Sequence, residues 1–270
     1  MSTASAPMEI GRIRLIVRDL TRMADFYAHV LGLEKLTADG TEVTLGAAER
    51  ALVELVADPA ARIRSPREAG LFHTAFLLPE RADLGAWVHF ASAERLAVQG
   101  ASDHLVSEAI YLADPEGNGI EIYTDRPRLT WYDTKGAIRM ATDPLDIPDL
   151  AAAARGPWRG APVGTVIGHV HLQVGSLPEA EAFYSETLGF PIMAHYPGAA
   201  FYGAGGYHHH LATNIWNSRA AGPRQPGTGL TSVEILADSP SMAGLLRRTG
   251  GKTRLADPWG TEMVLTEKKG

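Results

Sequence analysis

The chain has 270 residues, 45% hydrophobic and 21% charged, a formal net charge of −6 spread along its length, and no cysteine. That size supports one large domain or two small ones, and the missing cysteines remove disulfides, thiolate metal sites and cysteine nucleophiles, so any metal must use His, Asp or Glu. No basic stripe points to nucleic acid, no stretch of about 18 apolar residues points to a membrane span, and the first residues lack a signal-peptide pattern, so a cytoplasmic protein is expected.

Along the chain, IGRIRLIV (10–17) alternates as a strand, and the following helix carries Phe26 and Tyr27 and ends at Leu31–Gly32. Short strands follow, giving a βαβββ unit. GLFHTAFLLPERADL (70–84) opens a second unit, closed by the turn and strand DPEGNGIEIY (114–123). Residues 127–164 then read as a Pro-rich connection with one short helix, DIPDLAAAA (146–154). The first unit returns as IGHVHLQVGSLPEAEAFYSETLGFPIM (167–193), with Phe183 and Tyr184 in place of Phe26 and Tyr27. GLTSVEILADSPSMA (229–243) and DPWGTEMVLT (257–266) repeat the second unit. Four modules result, two in an N-terminal half (8–126) and two in a C-terminal half (165–267). GGYHHHLATNIW (205–216) reads as a strand bearing three consecutive histidines.

Residues two apart on a strand share a face. His169, His171 and Gln173 therefore point one way and Val170, Leu172 and Val174 the other; His73 groups with Leu71 and Ala75, opposite Phe72, Thr74 and Phe76; Glu121 groups with Gly119 and Tyr123. Alternation lets His208 and His210 share a face and His209 take the other, so one or two of the three enter a cavity and the rest form a polar strand end.

Over nearly the whole chain, the stretches GLFHTAFLLP, DHLVSEAIYLADPEGNGIEIY, TDPLDI, IGHVHLQV and GGYHHHLATNIW resemble the vicinal-oxygen-chelate superfamily, and within it the two-domain catechol 2,3-dioxygenase type of extradiol enzyme. The resemblance implies an α+β fold in which paired βαβββ modules curl into two half-open barrels. It implies metal ligands on the first strand of one module and on the first and last strands of its partner. The complete set is His169, His73 and Glu121, because Arg12 stands at the first position in module one, and Ser232 and Val264 stand at the two positions in module four. Modules two and three are therefore expected to build the metal barrel, and modules one and four an empty one. His171 is the nearest rival ligand, and Glu54 is read as ion-paired or exposed.

The resemblance further implies His209 as an acid/base residue, Tyr111 as a hydrogen-bond donor to bound catecholate and His104 at the cavity mouth. Two imidazoles and a carboxylate suit non-haem Fe(II), and Mn(II) accepts the same set. The implied activity is extradiol cleavage of a catechol-type aromatic with O₂, in a homo-oligomer without nucleic-acid or membrane partners. Two alternatives use the same scaffold: a glyoxalase-like lyase or isomerase, which needs a fourth ligand from HHHLA, and a metal-free binding or resistance protein, which does not need the ligands.

Overall fold

In a computed structural model, which describes residue 3 and residues 6–268, the chain forms two curled sheets packed back to back. Module one supplies β1 (Met8–Val17), α1 (Leu20–Val30), β2 (Glu34–Ala38), β3 (Glu42–Ala47) and β4 (Arg50–Ala57). Module two supplies β5 (Gly70–Leu77), α2 (Arg81–Ala93), β6 (Gly100–Asp103), β7 (Ser107–Ala113) and β8 (Gly119–Asp125). The connection adds β9 (Asp143–Pro144) and α3 (Ile147–Ala152). Module three contains β10 (Val166–Gln173), α4 (Leu177–Glu181), β11 (Ile192–Tyr196), β12 (Ala199–Tyr202) and β13 (Leu211–Asn214); module four contains β14 (Gly229–Ala237), α5 (Ser239–Arg248), β15 (Arg254–Ala256) and β16 (Glu262–Glu267).

One sheet runs β15-β16-β14-β1-β4-β3-β2 and the other β11-β12-β13-β10-β5-β8-β7-β6-β9. Modules one and four thus share one sheet and modules two and three the other, as the family resemblance led us to expect. The apolar sides of β1, β5, β10 and β14 meet in one continuous core through Ile13, Leu15, Leu71, Phe76, Val170, Leu172 and Val233. The concave faces point away from that core.

The repeated sequence signals have local causes. Asp19 and Asp238 accept backbone N–H groups at the starts of α1 and α5. After α1, Gly32 takes φ +65°, and a Cβ there would lie 2.4 Å from the Cα of Gly160. In module three the helix does not stay α-helical: after α4 it widens into a π-helical stretch at Ala182–Thr187, where Leu188 N–H donates to the Phe183 carbonyl at 2.9 Å. The tyrosine of each Phe-Tyr pair reaches across the sheets. Tyr27 Oη donates to buried Asp114 at 3.1 Å, and Tyr184 Oη to buried Asp257 at 2.7 Å. Each aspartate also organises its own Asp-Pro turn by accepting two backbone N–H groups. These paired contacts tie each half's helix to the other sheet.

Glycine at the second position of both IG strands marks a register shift, between Ile10 and Ile13 in β1 and between Ile167 and His169 in β10. A Cβ at Gly168 would lie 1.7 Å from Tyr123 Oη. The skipped residue brings His169 opposite Ala75, on the concave face.

Candidate metal centre

Register across three neighbouring strands builds the site. On β5, Ala75 pairs with His169 of antiparallel β10 on one side and with Glu121 of parallel β8 on the other; His73, one rung along on the same face, pairs with His171 and Gly119. The methyl group of Ala75 is all that stands between the flanking ligand-type side chains. His73 Nε2 lies 3.0 Å from Glu121 Oε2, His169 Nε2 lies 3.2 Å from the same oxygen, and the two nitrogens are 3.3 Å apart. Among the described residues these three form the one His/Asp/Glu group with all donor atoms mutually close enough to hold a metal.

The donor set fits a divalent cation. Separations of 3.0–3.3 Å match adjacent coordination positions around an ion with bonds of about 2.0–2.2 Å. Both imidazoles converge through Nε2 on a single carboxylate oxygen. Burial pushes the Glu121 carboxyl up, but the two imidazoles outweigh it and hold it well below the usual carboxylate range. Burial lowers His169 to about 4 despite the attraction of Glu121. A neutral imidazole beside an ionised carboxylate is the protonation state metal binding needs.

The triad opens into a cavity of about 290 Å³. Tyr111 pairs directly with Glu121 across β7 and β8, so it shares the concave face. His104 accepts the Tyr111 O–H at Nε2 while its Nδ1–H donates to the Ala141 carbonyl at 2.6 Å; the carbonyl can only accept, which fixes the tautomer. Burial, with the charge of Glu121 behind it, raises Tyr111 well above 10 and keeps its proton in place. His209 also lines the cavity, its ring centroid 4.1 Å from that of His169.

The histidine run departs from the strand reading. Gly205 and Gly206 take φ +61° and +70° and turn the chain, so His208–His210 precede β13 instead of lying in it. None forms a polar strand end: His208 and His210 are fully buried. His208 packs against Trp131 and Tyr207, and His210 accepts Ala204 N–H at 3.2 Å. His171 accepts Asn214 Nδ2–H at 3.0 Å and lies outside the triad.

Alternation also fails at Phe72. A second register shift, between His171 and Leu172 on β10, returns Leu71 to the core and leaves Phe72 at the cavity, its ring 5.0 Å from His171 and 5.5 Å from Trp216. Sequence reading also missed the connection's part in the site. Residues Met140, Ala141 and Thr142 line the cavity, and β9 joins the sheet edge beside β6. The quoted TDPLDI stretch was the one signal available. Trp216 and Tyr196 stand half-exposed at the mouth.

Among the described residues the other concave face has no comparable group. Arg12 and Arg14 pair with Glu54 at 3.0 and 3.1 Å, and Ser232 and Val264 lie beside them, so ion pairs line that space.

Two back-to-back cupped sheets built from three βαβββ modules and a fourth shortened to βαββ, one sheet holding two histidines and a carboxylate over a cavity, define a vicinal-oxygen-chelate protein. The chain belongs to the Glyoxalase/Bleomycin resistance protein/Dioxygenase superfamily, whose model matches residues 9–122 and 166–240. It is 42% identical over 230 residues to a catechol-2,3-dioxygenase of Bacillus subtilis (strain 168), covering 83% of this chain and 80% of the relative. Solved structures share the fold at low identity. Glyoxalase I from Zea mays superposes with a TM-score of 0.58 at 17% identity, covering 98% of this chain and 94% of that one. The cppA protein from Streptococcus pneumoniae TIGR4 gives a TM-score of 0.55 at 11% identity, with coverage of 96% and 99%. Among the described residues no helix is long and apolar enough to cross a membrane.

Proposed function

We propose that the protein is an extradiol dioxygenase of the catechol-2,3-dioxygenase kind, with His73, His169 and Glu121 holding a non-haem Fe(II) ion. The observation that carries this reading is the compact triangle of two imidazoles and one carboxylate at the base of an aromatic-walled cavity. Bound there, ferrous iron supplies open positions for a catecholate and O₂ and the redox chemistry that lets dioxygen react with the ring.

The chain's own residues do the rest. Phe72, Phe201 and Trp216 give flat apolar walls for an aromatic ring and limit water at its edge. Among the described residues no lysine or arginine lines the cavity, which favours an uncharged catechol over one carrying a carboxylate. Tyr111, whose hydrogen goes to His104, presents its hydroxyl oxygen beside Glu121, where it accepts a hydrogen bond from the remaining hydroxyl of a singly ionised catechol instead of donating to the catecholate as the resemblance implied. His209 is uncharged, since burial and the neighbouring histidines hold it well below 6.5, and it accepts a substrate hydroxyl proton and later returns it.

A glyoxalase-like site would add a fourth protein ligand, and the buried group comprises three. Metal analysis after anaerobic purification, followed by oxygen uptake with catechol, tests the reading. Stoichiometric iron and ring-cleaved product are expected, and His73→Ala, His169→Ala and Glu121→Ala should each lose the metal. Wild-type iron content in His73→Ala would refute the site.

A further inference from the structure

Neighbouring His208 and His209 face each other through Nδ1 at 2.8 Å, while His208 Nε2 lies 3.0 Å from Asp125 Oδ1. The polarity of this chain of hydrogen bonds follows from its end. A carboxylate oxygen accepts, so His208 Nε2 carries the hydrogen, and in the neutral ring Nδ1 then holds a lone pair. Two nitrogens 2.8 Å apart need one hydrogen between them, so His209 Nδ1 donates it. The single hydrogen of His209 is thereby committed to Nδ1. Its Nε2, the nitrogen turned from His208, is left as a bare lone pair for the cavity that His209 lines.

We propose that Asp125, acting through His208, fixes the tautomer of His209 so that the nitrogen offered to the cavity is a proton acceptor. Neither Asp125 nor His208 lines the cavity, so both are positioning residues. An imidazole without such partners populates both tautomers, and the hydrogen bond made by one nitrogen decides the state of the other. His208 is fully buried, which removes water as a competitor for its two nitrogens. Its ring is clamped by Tyr207 and Trp131 at centroid distances of 4.1 and 4.9 Å. Asp125 is held in turn by Tyr207 Oη, which donates to it at 3.1 Å and meets Tyr123 Oη at 2.7 Å. Glu121 and Asp125 lie four residues apart on β8, so one strand contributes a carboxylate to the triad and another to the histidine pair. The opposite tautomer would present an N–H to the cavity and could not accept a hydroxyl proton.

The catalytic meaning of this tautomer rests on the ring-cleavage reading; the tautomer itself does not. Nitrogen NMR of ¹⁵N-histidine-labelled full chain, metal-free and zinc-loaded, reads it directly. His209 should show a protonated Nδ1 and a bare Nε2, and His208 the reverse. Asp125→Ala should collapse both patterns to tautomer averages, and Asp125→Glu, which keeps an acceptor, should restore them. His208→Asn places a carbonyl oxygen near the former Nδ1 and should keep the His209 pattern, whereas His208→Phe should lose it; this pair decides the matter if Asp125→Ala does not fold. With catechol, Asp125→Ala should lower kcat about tenfold with little change in KM. A protonated His209 Nε2 in the wild-type chain, or an unchanged His209 pattern in Asp125→Ala, would overturn the proposal. The expected tautomer together with no turnover of any catechol supports it while refuting the ring-cleavage reading.

Discussion

Lowering the pH should unfold the metal-free protein through its buried histidines. His169 titrates at about 4 in the folded chain against 6.5 for an ordinary imidazole, because burial penalises the charged ring. Between those values the unfolded chain takes up a proton that the folded chain refuses. The contribution of His169 to stability is therefore complete above pH 6.5 and is lost as the pH falls towards 4. At about 1.36 kcal/mol per pH unit the gap corresponds to about 3 kcal/mol, a large fraction of the ~5–15 kcal/mol that separates folded from unfolded chains. Burial shifts His171, His209 and His210 in the same direction, which steepens the fall. Urea midpoints of metal-stripped protein, followed by fluorescence between about pH 7.5 and pH 5, should drop steadily, and those of His169→Gln less steeply. Metal-loaded protein should hold its midpoint to lower pH, because the ion competes with protons for the same lone pairs. A metal-free midpoint that does not move across this range would refute the uncharged, buried state of these rings.

Three further outcomes test other parts of the structure. Ala75→Leu fills the space between His169 and Glu121, so metal content should fall to background while the fold survives an overpacking cost of about 1–3 kcal/mol, measured by elemental analysis and urea unfolding. His209→Asn should retain metal and lose about 10²–10⁴-fold in turnover; loss of metal would make it a ligand and revive the four-ligand reading. Tyr27→Phe and Tyr184→Phe each remove a hydroxyl from a buried aspartate and should cost about 1–3 kcal/mol without changing metal content, since both tyrosines lie outside the cavity.

The family resemblance implied the ligand set that spans modules two and three; residue patterns alone made legible the four modules and the polar faces of β8 and β10. These follow from strand alternation and from comparing equivalent positions in repeated units, both of which are local properties of the chain. The sheet order agrees with that pairing, because β1 joins β14 and β5 joins β10 at the sheet centres. What alternation could not supply was any place where the backbone departs from it. The register shift at Gly168 sets which β5 residue His169 faces, and the shift beside Leu172 turns Phe72 into the cavity. Each depends on neighbouring strands crowding one another, as Tyr123 does at Gly168. The left-handed pair Gly205–Gly206 took the three histidines out of the strand and gave each a different environment. Only the folded chain brought Asp125 to His208 and Ala141 to His104, because residues 83 and 37 positions apart meet through packing and not through any pattern along the sequence.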